Sequence, residues 1–150
     1  MKDTTELEGI LKGVLASQNL AVIATQKEGQ PFTNLVAFVA TDDLKHLLFA
    51  TTRSTRKFAN LTADERVALL VDNRRNQASD FSNAVAVTAF GRAAEVEDAE
   101  REYFLDLYLA KHSHLKGFAT APTCALIKVK IDRYEVVQRF QNVLELRVRP

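Results

Sequence analysis

Among 150 residues there is one cysteine, one methionine and no tryptophan, with only three prolines and five glycines. Each scarcity excludes something. The single thiol, Cys124, permits no internal disulfide and no paired-cysteine zinc site, so a reducing, cytoplasmic setting is expected. No apolar run approaches the roughly 20 residues of a membrane-spanning helix, and the start, MKDTTELEG, lacks the basic-then-apolar order of a secretory leader. Charge of either sign is also not in excess: 20 Lys and Arg stand against 19 Asp and Glu, a net charge of +1. That is far from the basic balance of a nucleic-acid binder, so any electrostatic argument has to be local. No G-x-G-x-x-G, Walker A or G-x-S-x-G pattern occurs, which argues against dinucleotide, nucleoside-triphosphate and esterase sites of the common kinds.

What is present is enough apolar material, 47% of the chain, to build one real core, and residues 1–150 are expected to form a single domain. Leu7, Ile10, Leu11, Val14 and Leu15 share one helical face, with Thr5 and Glu8 placed as a capping box. Strands are expected at 19–25 and 31–41, joined by a tight reversal over Lys27-Glu28-Gly29-Gln30. A third covers HLLFATT, a short helix runs from about 55 to 61, and RVALLVDN (66–73) reads as a buried strand followed by a polar loop, NRRNQASDFSN. In AVAVTAFGRAAEV (84–96), Gly91 marks a bulge or a close backbone approach. Ala99, Tyr103, Phe104, Leu107 and Tyr108 recur at helical spacing over 98–110.

The stretch CALIKVKIDRYEVV carries a break in parity. Ile127, Val129 and Ile131 lie on one face, whereas Tyr134 and Val136 lie on the other, so a bulge or bend is expected at Asp132-Arg133. Leu144, Leu146 and Val148 alternate with charged residues as in a half-exposed strand. About seven strands, three or four helices and no regular strand-helix-strand alternation predict an antiparallel barrel of the α+β class.

The local anomaly is TTRSTRKFAN (51–60), which puts Arg53, Arg56 and Lys57 at the start of a helix. A helix N-terminus repels cations by about 0.3–1 kcal/mol each. A phosphate would reverse that sign, because free backbone N–H groups, the Ser54 and Thr55 hydroxyls and the three cations would all serve negative oxygens. A solvated surface turn with splayed basic side chains is the alternative.

The chain from about Leu15 onward resembles the pyridoxamine 5'-phosphate oxidase-like, FMN-binding split-barrel family. NLAVIAT, TNLVAF, LLFATTRSTRKFANLTADERVALLVDN and AVAVTAFGRAAEV carry the likeness, with Thr51, Thr52, Thr55-Arg56-Lys57, Asn60-Leu61 and Asp64 to Leu69 matching the family's pattern. The resemblance implies an antiparallel split β-barrel of about six to seven strands with flanking helices. It further implies that Arg56 and Lys57 hold the FMN phosphate with the hydroxyl of Thr51 or Thr52, and that Thr33, Asn34, Leu35 and Val36 border the flavin ring. Arg53 departs from the oxidase pattern, and its phosphate role is inferred from the sequence. A homodimer with flavin between subunits is implied, with Asn73, Asn76 and Gln77, or Arg139, Gln141 and Asn142, as candidates from the second subunit.

The expected function is therefore an FMN-binding oxidoreductase acting on a small molecule, in which the flavin carries the chemistry. A non-catalytic flavin-binding or sensing protein, or a relative holding haem or deazaflavin on the same barrel, is the alternative. Absence of tryptophan stands against true pyridoxamine phosphate oxidase activity. His112 and His114 read as surface residues without a completing ligand set, His46 as part of a charged turn, and Cys124 as a small buried hydrophobe.

Overall fold

A computed structural model describes residues 4–150, so residues 1–3 of the stretch read against a leader lie outside the described residues. Helix α1 (Thr4–Ser17) buries Leu7, Leu11, Val14 and Leu15, the stripe expected from their spacing. Thr5 is itself helical rather than the cap. Strands β1 (Leu20–Lys27) and β2 (Gln30–Ala40) form the expected hairpin, reversed at Glu28 and Gly29, both at positive φ (52° and 82°). That is the two-residue turn whose twist suits antiparallel strands.

Strand β3 (His46–Thr52), helix α2 (Arg56–Ala63), β4 (Arg66–Asp72), the four-residue α3 (Asp80–Asn83) and β5 (Val85–Glu95) follow. Then come α4 (Asp98–Lys111), a 3-10 turn (Ser113–Leu115), α5 (Lys116–Ala119), β6 (Cys124–Gln138) and β7 (Asn142–Arg147). The seven strands lie in the order β3-β2-β1-β4-β5-β6-β7, and β3 also pairs with β6. That extra pairing closes six strands into an antiparallel barrel, with β7 added outside the ring.

Strand β6 does two jobs because it changes neighbours. Its first half pairs with β3, from Cys124 opposite Thr52 to Lys130 opposite His46, and its second half pairs with β7. The switch falls where β5 and β6 slip register: Gly91 faces Ile131 and Phe90 faces Arg133, leaving Asp132 as the extra residue. The bulge restores Tyr134 and Val136 to the same interior as Ile127, Val129 and Ile131, as the parity break predicted. Gly91 is a close approach, since a Cβ there would sit 2.2 Å from the Lys130 carbonyl oxygen.

The barrel interior and α1 share one core. A second apolar layer, with Leu48, Ala50, Cys124 and Leu126 beneath Phe104, Tyr108 and Ala119, fixes α4 and α5 to the outside of β3 and β6. Being covered on both faces explains why HLLFATT is a continuous apolar run rather than an alternating one. Three residue readings need correction. Tyr103 is exposed although it lies at helical spacing, because only Phe104 and Tyr108 of α4 are buried. His112 is buried, with Nε2 2.7 Å from the Phe38 carbonyl oxygen, instead of on the surface. His46 opens β3, its ring 6.0 Å from that of Phe104. Among the described residues no helix is long and apolar enough to cross a membrane.

Candidate functional site

Strands β2 and β3 pair only from Phe38–Phe49 to Ala40–Leu47, and they part before Phe38 on β2 and after Phe49 on β3. Leu35, Val36 and Ala37 on one side face Ala50, Thr51 and Thr52 on the other across a cleft of about 270 Å³. Thr55 and Lys57 from the α2 end, and Tyr108, Leu115 and Phe118 from the outer helices, complete the lining. The split thus unites six of the residues singled out in the sequence: Leu35, Val36, Thr51, Thr52, Thr55 and Lys57. Its volume lies just below the about 300–1,000 Å³ of small-molecule sites.

Local bonds set the geometry at the helix start. Thr55 is the N-cap of α2 and accepts from the Phe58 N–H at 3.2 Å. Its hydroxyl also donates to the Thr52 carbonyl (2.9 Å) and lies 3.2 Å from that of Thr51. Lys57 donates from Nζ to Thr51 Oγ1 at 2.8 Å. Among the described residues Lys57 meets no carboxylate, and burial pushes its ammonium below the ordinary lysine range. The backbone N–H groups of Arg56 and Lys57 have no protein acceptor among the described residues. A half-buried cation and free N–H groups converging on one hydroxyl-lined corner are suited to an anion, and they fit the phosphate ester of a flavin nucleotide.

The other candidates are disposed differently. Arg56 lies outside the cleft lining with its guanidinium 4.9 Å from the Phe32 ring centroid. Thr33 and Asn34 are exposed on β2 next to Leu35. Ser54 is exposed and also outside the lining. Arg53 is engaged elsewhere: it bonds Glu95 (2.6 Å) and the Pro122 and Cys124 carbonyls (2.8 and 3.1 Å), tying β3 to β5 and to the entry of β6. Asn73 accepts the Val85 N–H at 2.7 Å and so closes its own loop. Gln77 lines a separate cavity with Phe81 and Phe140, while Arg139 lines another with Ser82, Asn83 and Asn142; Gln141 lies in the same β6–β7 turn.

The remaining motif residues anchor α2. Asn60 is buried and donates to Thr25 Oγ1 (3.1 Å), and Leu61 enters the core. Asp64 caps the helix end and bonds Arg66 and Gln26, contacts that hold its carboxyl below the usual range, the Arg66 bonds most of all. Sequence reasoning missed Leu115 and Phe118 and treated Tyr108 as packing alone. Tyr108 donates to the Ala37 carbonyl of β2 at 3.2 Å, so it braces the cleft wall. A buried tyrosine needing a partner was the only available signal.

A closed antiparallel barrel whose split edge meets a cationic helix start defines a split-barrel protein. The family model for pyridoxamine 5'-phosphate oxidase matches residues 7–138, and the chain belongs to that family. Solved structures share the fold. A heme binding protein from Mycobacterium smegmatis superposes with a TM-score of 0.83 at 16% identity, covering 98% of this chain and 59% of that one. A protein of the pyridoxinephosphate oxidase family from Clostridium acetobutylicum gives 0.75 at 13% identity, covering 97% of both chains. A FAD-binding protein from Mesorhizobium loti gives 0.69 at 18%, covering 85% of this chain and 89% of that one. This chain therefore spans little more than half of the mycobacterial protein. No curated protein matches its sequence.

Proposed function

We propose that this protein binds FMN and serves as a cytoplasmic flavin-dependent oxidoreductase for a small molecule. The observation that carries this is the Lys57 corner: a partly desolvated ammonium, free N–H groups at a helix start and two threonine hydroxyls, with no carboxylate facing Lys57 among the described residues. Lys57 and the first turn of α2 would hold the phosphate, Arg56 would add charge from the rim, and Thr33 to Val36 would border the ring. The flavin, when bound, supplies hydride or electron transfer. The protein's part is to orient it along the β2 edge, with Tyr108, Leu115 and Phe118 excluding water from one wall. A FAD-binding structural neighbour supports a flavin, though at an identity that speaks for fold alone.

In this reading a second copy completes the small cleft. Leu20 (54% exposed) and Leu35 (67% exposed) share the outer face of the barrel with Val22 and Leu70, which are directly paired across β2, β1 and β4. A contiguous apolar row of this kind is what a twofold contact would cover. The partner would bring its β4–β5 loop or β6–β7 turn over the cleft.

Haem is the second reading, favoured by the mycobacterial neighbour. His112 is already bonded to the Phe38 carbonyl, leaving His46 and His114 as candidate axial ligands. The visible spectrum of the freshly purified full chain decides. Flavin bands support the proposal, whereas a Soret band replaces it. Bleaching under anaerobic NADH or NADPH then separates a reductase from a passive flavin carrier.

A further inference from the structure

Hydrogen-bonded pairs alternate along an antiparallel ladder. The Thr41 N–H donates to the His46 carbonyl (3.0 Å), which sets the phase for β2 and β3: Val39 with Leu48 is the next such pair, and Ala37 with Ala50 would be the one after it. The ladder stops just before that pair, at Phe38 and Phe49. The polar groups that Ala37 and Ala50 turn toward each other therefore need another partner.

The Tyr108 hydroxyl supplies it. It donates to the Ala37 carbonyl at 3.2 Å and accepts the Ala50 N–H, the two groups that an unbroken ladder would join directly. Tyr108 is 1% exposed, and burial pushes its phenol up to about 12, so the hydroxyl keeps the proton it donates. The last turn of α4 holds it in place. His112 has Nε2 2.7 Å from the Phe38 carbonyl, Lys111 donates to the Leu15 and Gln18 carbonyls (3.0 and 2.6 Å), and Phe104 packs in the same outer layer. The cleft begins at this hydroxyl: Ala37, Ala50 and Tyr108 line it together with Leu35 and Thr52, which the same alternation would pair next. Phe38 donates its N–H to Asn19, so even-numbered residues of β2 serve β1 and Leu35 turns its N–H and carbonyl toward the cleft.

We propose that Tyr108 is a positioning residue whose hydroxyl takes the ladder position between Ala37 and Ala50, stops β2 and β3 from zipping further, and so leaves the Leu35 backbone open to the flavin ring. The part concerning the ring rests on the flavin reading; the wedge does not. Without the hydroxyl, the Ala37 carbonyl and Ala50 N–H would lie unpaired beside an apolar ring, a cost relieved when they bond each other. Zipping draws the strands to the ladder spacing of about 4.8 Å and closes the cleft from its inner end.

The test compares the ligand-free full chain and Tyr108→Phe by NMR, then measures FMN affinity of both by calorimetry. Val36 and Thr51 form the non-hydrogen-bonded pair beyond Ala37 and Ala50, so their Hα–Hα contact is expected in Tyr108→Phe and not in the wild type. The FMN Kd of the variant is expected to rise about tenfold or more. Phe104→Leu, which loosens the same outer layer without removing a hydrogen bond to either strand, should lower Tm and leave FMN affinity within about threefold. Should Tyr108→Phe not fold, the wild-type hydroxyl proton decides, because it should exchange slowly and show contacts to both Ala37 and Ala50. The inference is overturned by a Val36–Thr51 contact in the wild type, by its absence in folded Tyr108→Phe, by a hydroxyl proton lacking those contacts, or by equal loss of FMN in Phe104→Leu. A wild type that binds no FMN overturns the flavin reading and the role toward the ring, while the NMR contacts still decide the wedge.

Discussion

Lys57→Met separates a phosphate site from a merely basic surface, because only the phosphate site predicts a large loss of FMN affinity with no loss of ligand-free stability. Lys57 is half-buried and, among the described residues, is bonded only to the Thr51 hydroxyl and meets no carboxylate. Methionine keeps much of the apolar stem and removes the charge. In the ligand-free protein the substitution removes a desolvated cation, so stability should hold or rise slightly. With FMN the loss is a charge-assisted hydrogen bond, about 1.5–3 kcal/mol, in a setting where a charge pair at 4 Å is worth up to about 4 kcal/mol before desolvation is subtracted. A net 2–3 kcal/mol raises Kd about 30- to 150-fold. At an FMN concentration of 100 times the wild-type Kd, ligand stabilises the wild type by about 2.7 kcal/mol, a Tm gain of about 5–11 °C. The variant at the same concentration should gain only about 1–3 °C. Calorimetric FMN titration and thermal unfolding with and without FMN read both quantities. An FMN affinity within threefold of wild type, or a ligand-free Tm several degrees lower, would refute the reasoning.

Gly91→Ala should destabilise by about 3 kcal/mol or more, since its Cβ would meet the Lys130 backbone oxygen at 2.2 Å, where only strand separation relieves the clash. A melting temperature within 2 °C of wild type, read by circular dichroism at roughly 2–4 °C per kcal/mol, would contradict that packing. Lys111 donates to the Leu15 and Gln18 carbonyls (3.0 and 2.6 Å), and burial pushes it down to about 8. Between that value and the ordinary lysine range the unfolded chain binds more protons, so stability should rise with pH over this window. Denaturant unfolding from pH 8 to 10 should show wild type gaining on Lys111→Met, and a constant difference would exclude the shift. Leu20→Lys with Leu70→Lys should convert a dimer to monomers in sedimentation velocity and weaken FMN binding together with it; a dimer that persists would place the subunit contact elsewhere.

Much of the barrel was legible in the chain because strand alternation and breaks in it are local signals. The parity change around Asp132 announced the bulge, and Gly91 announced the close approach opposite it. The polar loop after β4 concealed the short α3, and nothing periodic marked the 3-10 turn or α5, whose four residues are too few for a helical pattern. At the site, Thr55 and Lys57 were visible because cations at a helix start are locally unfavourable, and Thr51 and Thr52 through the family resemblance. Arg53 looked equivalent from spacing, yet its guanidinium goes to Glu95 and two carbonyls. Choice among acceptors depends on residues 42 to 71 positions away, and no local pattern encodes it.

By itself the sequence determined which segments are strands, where β6 must bend, and which short stretch accumulates positive charge, since each depends on neighbours within a few residues. Tertiary structure alone decided that β2 and β3 are parted before Phe38, that Tyr108 and Phe118 wall the opening, and that Phe81 meets Phe140. Those outcomes come from closing a sheet on itself, which brings together side chains whose proximity depends on the pairing of every intervening strand.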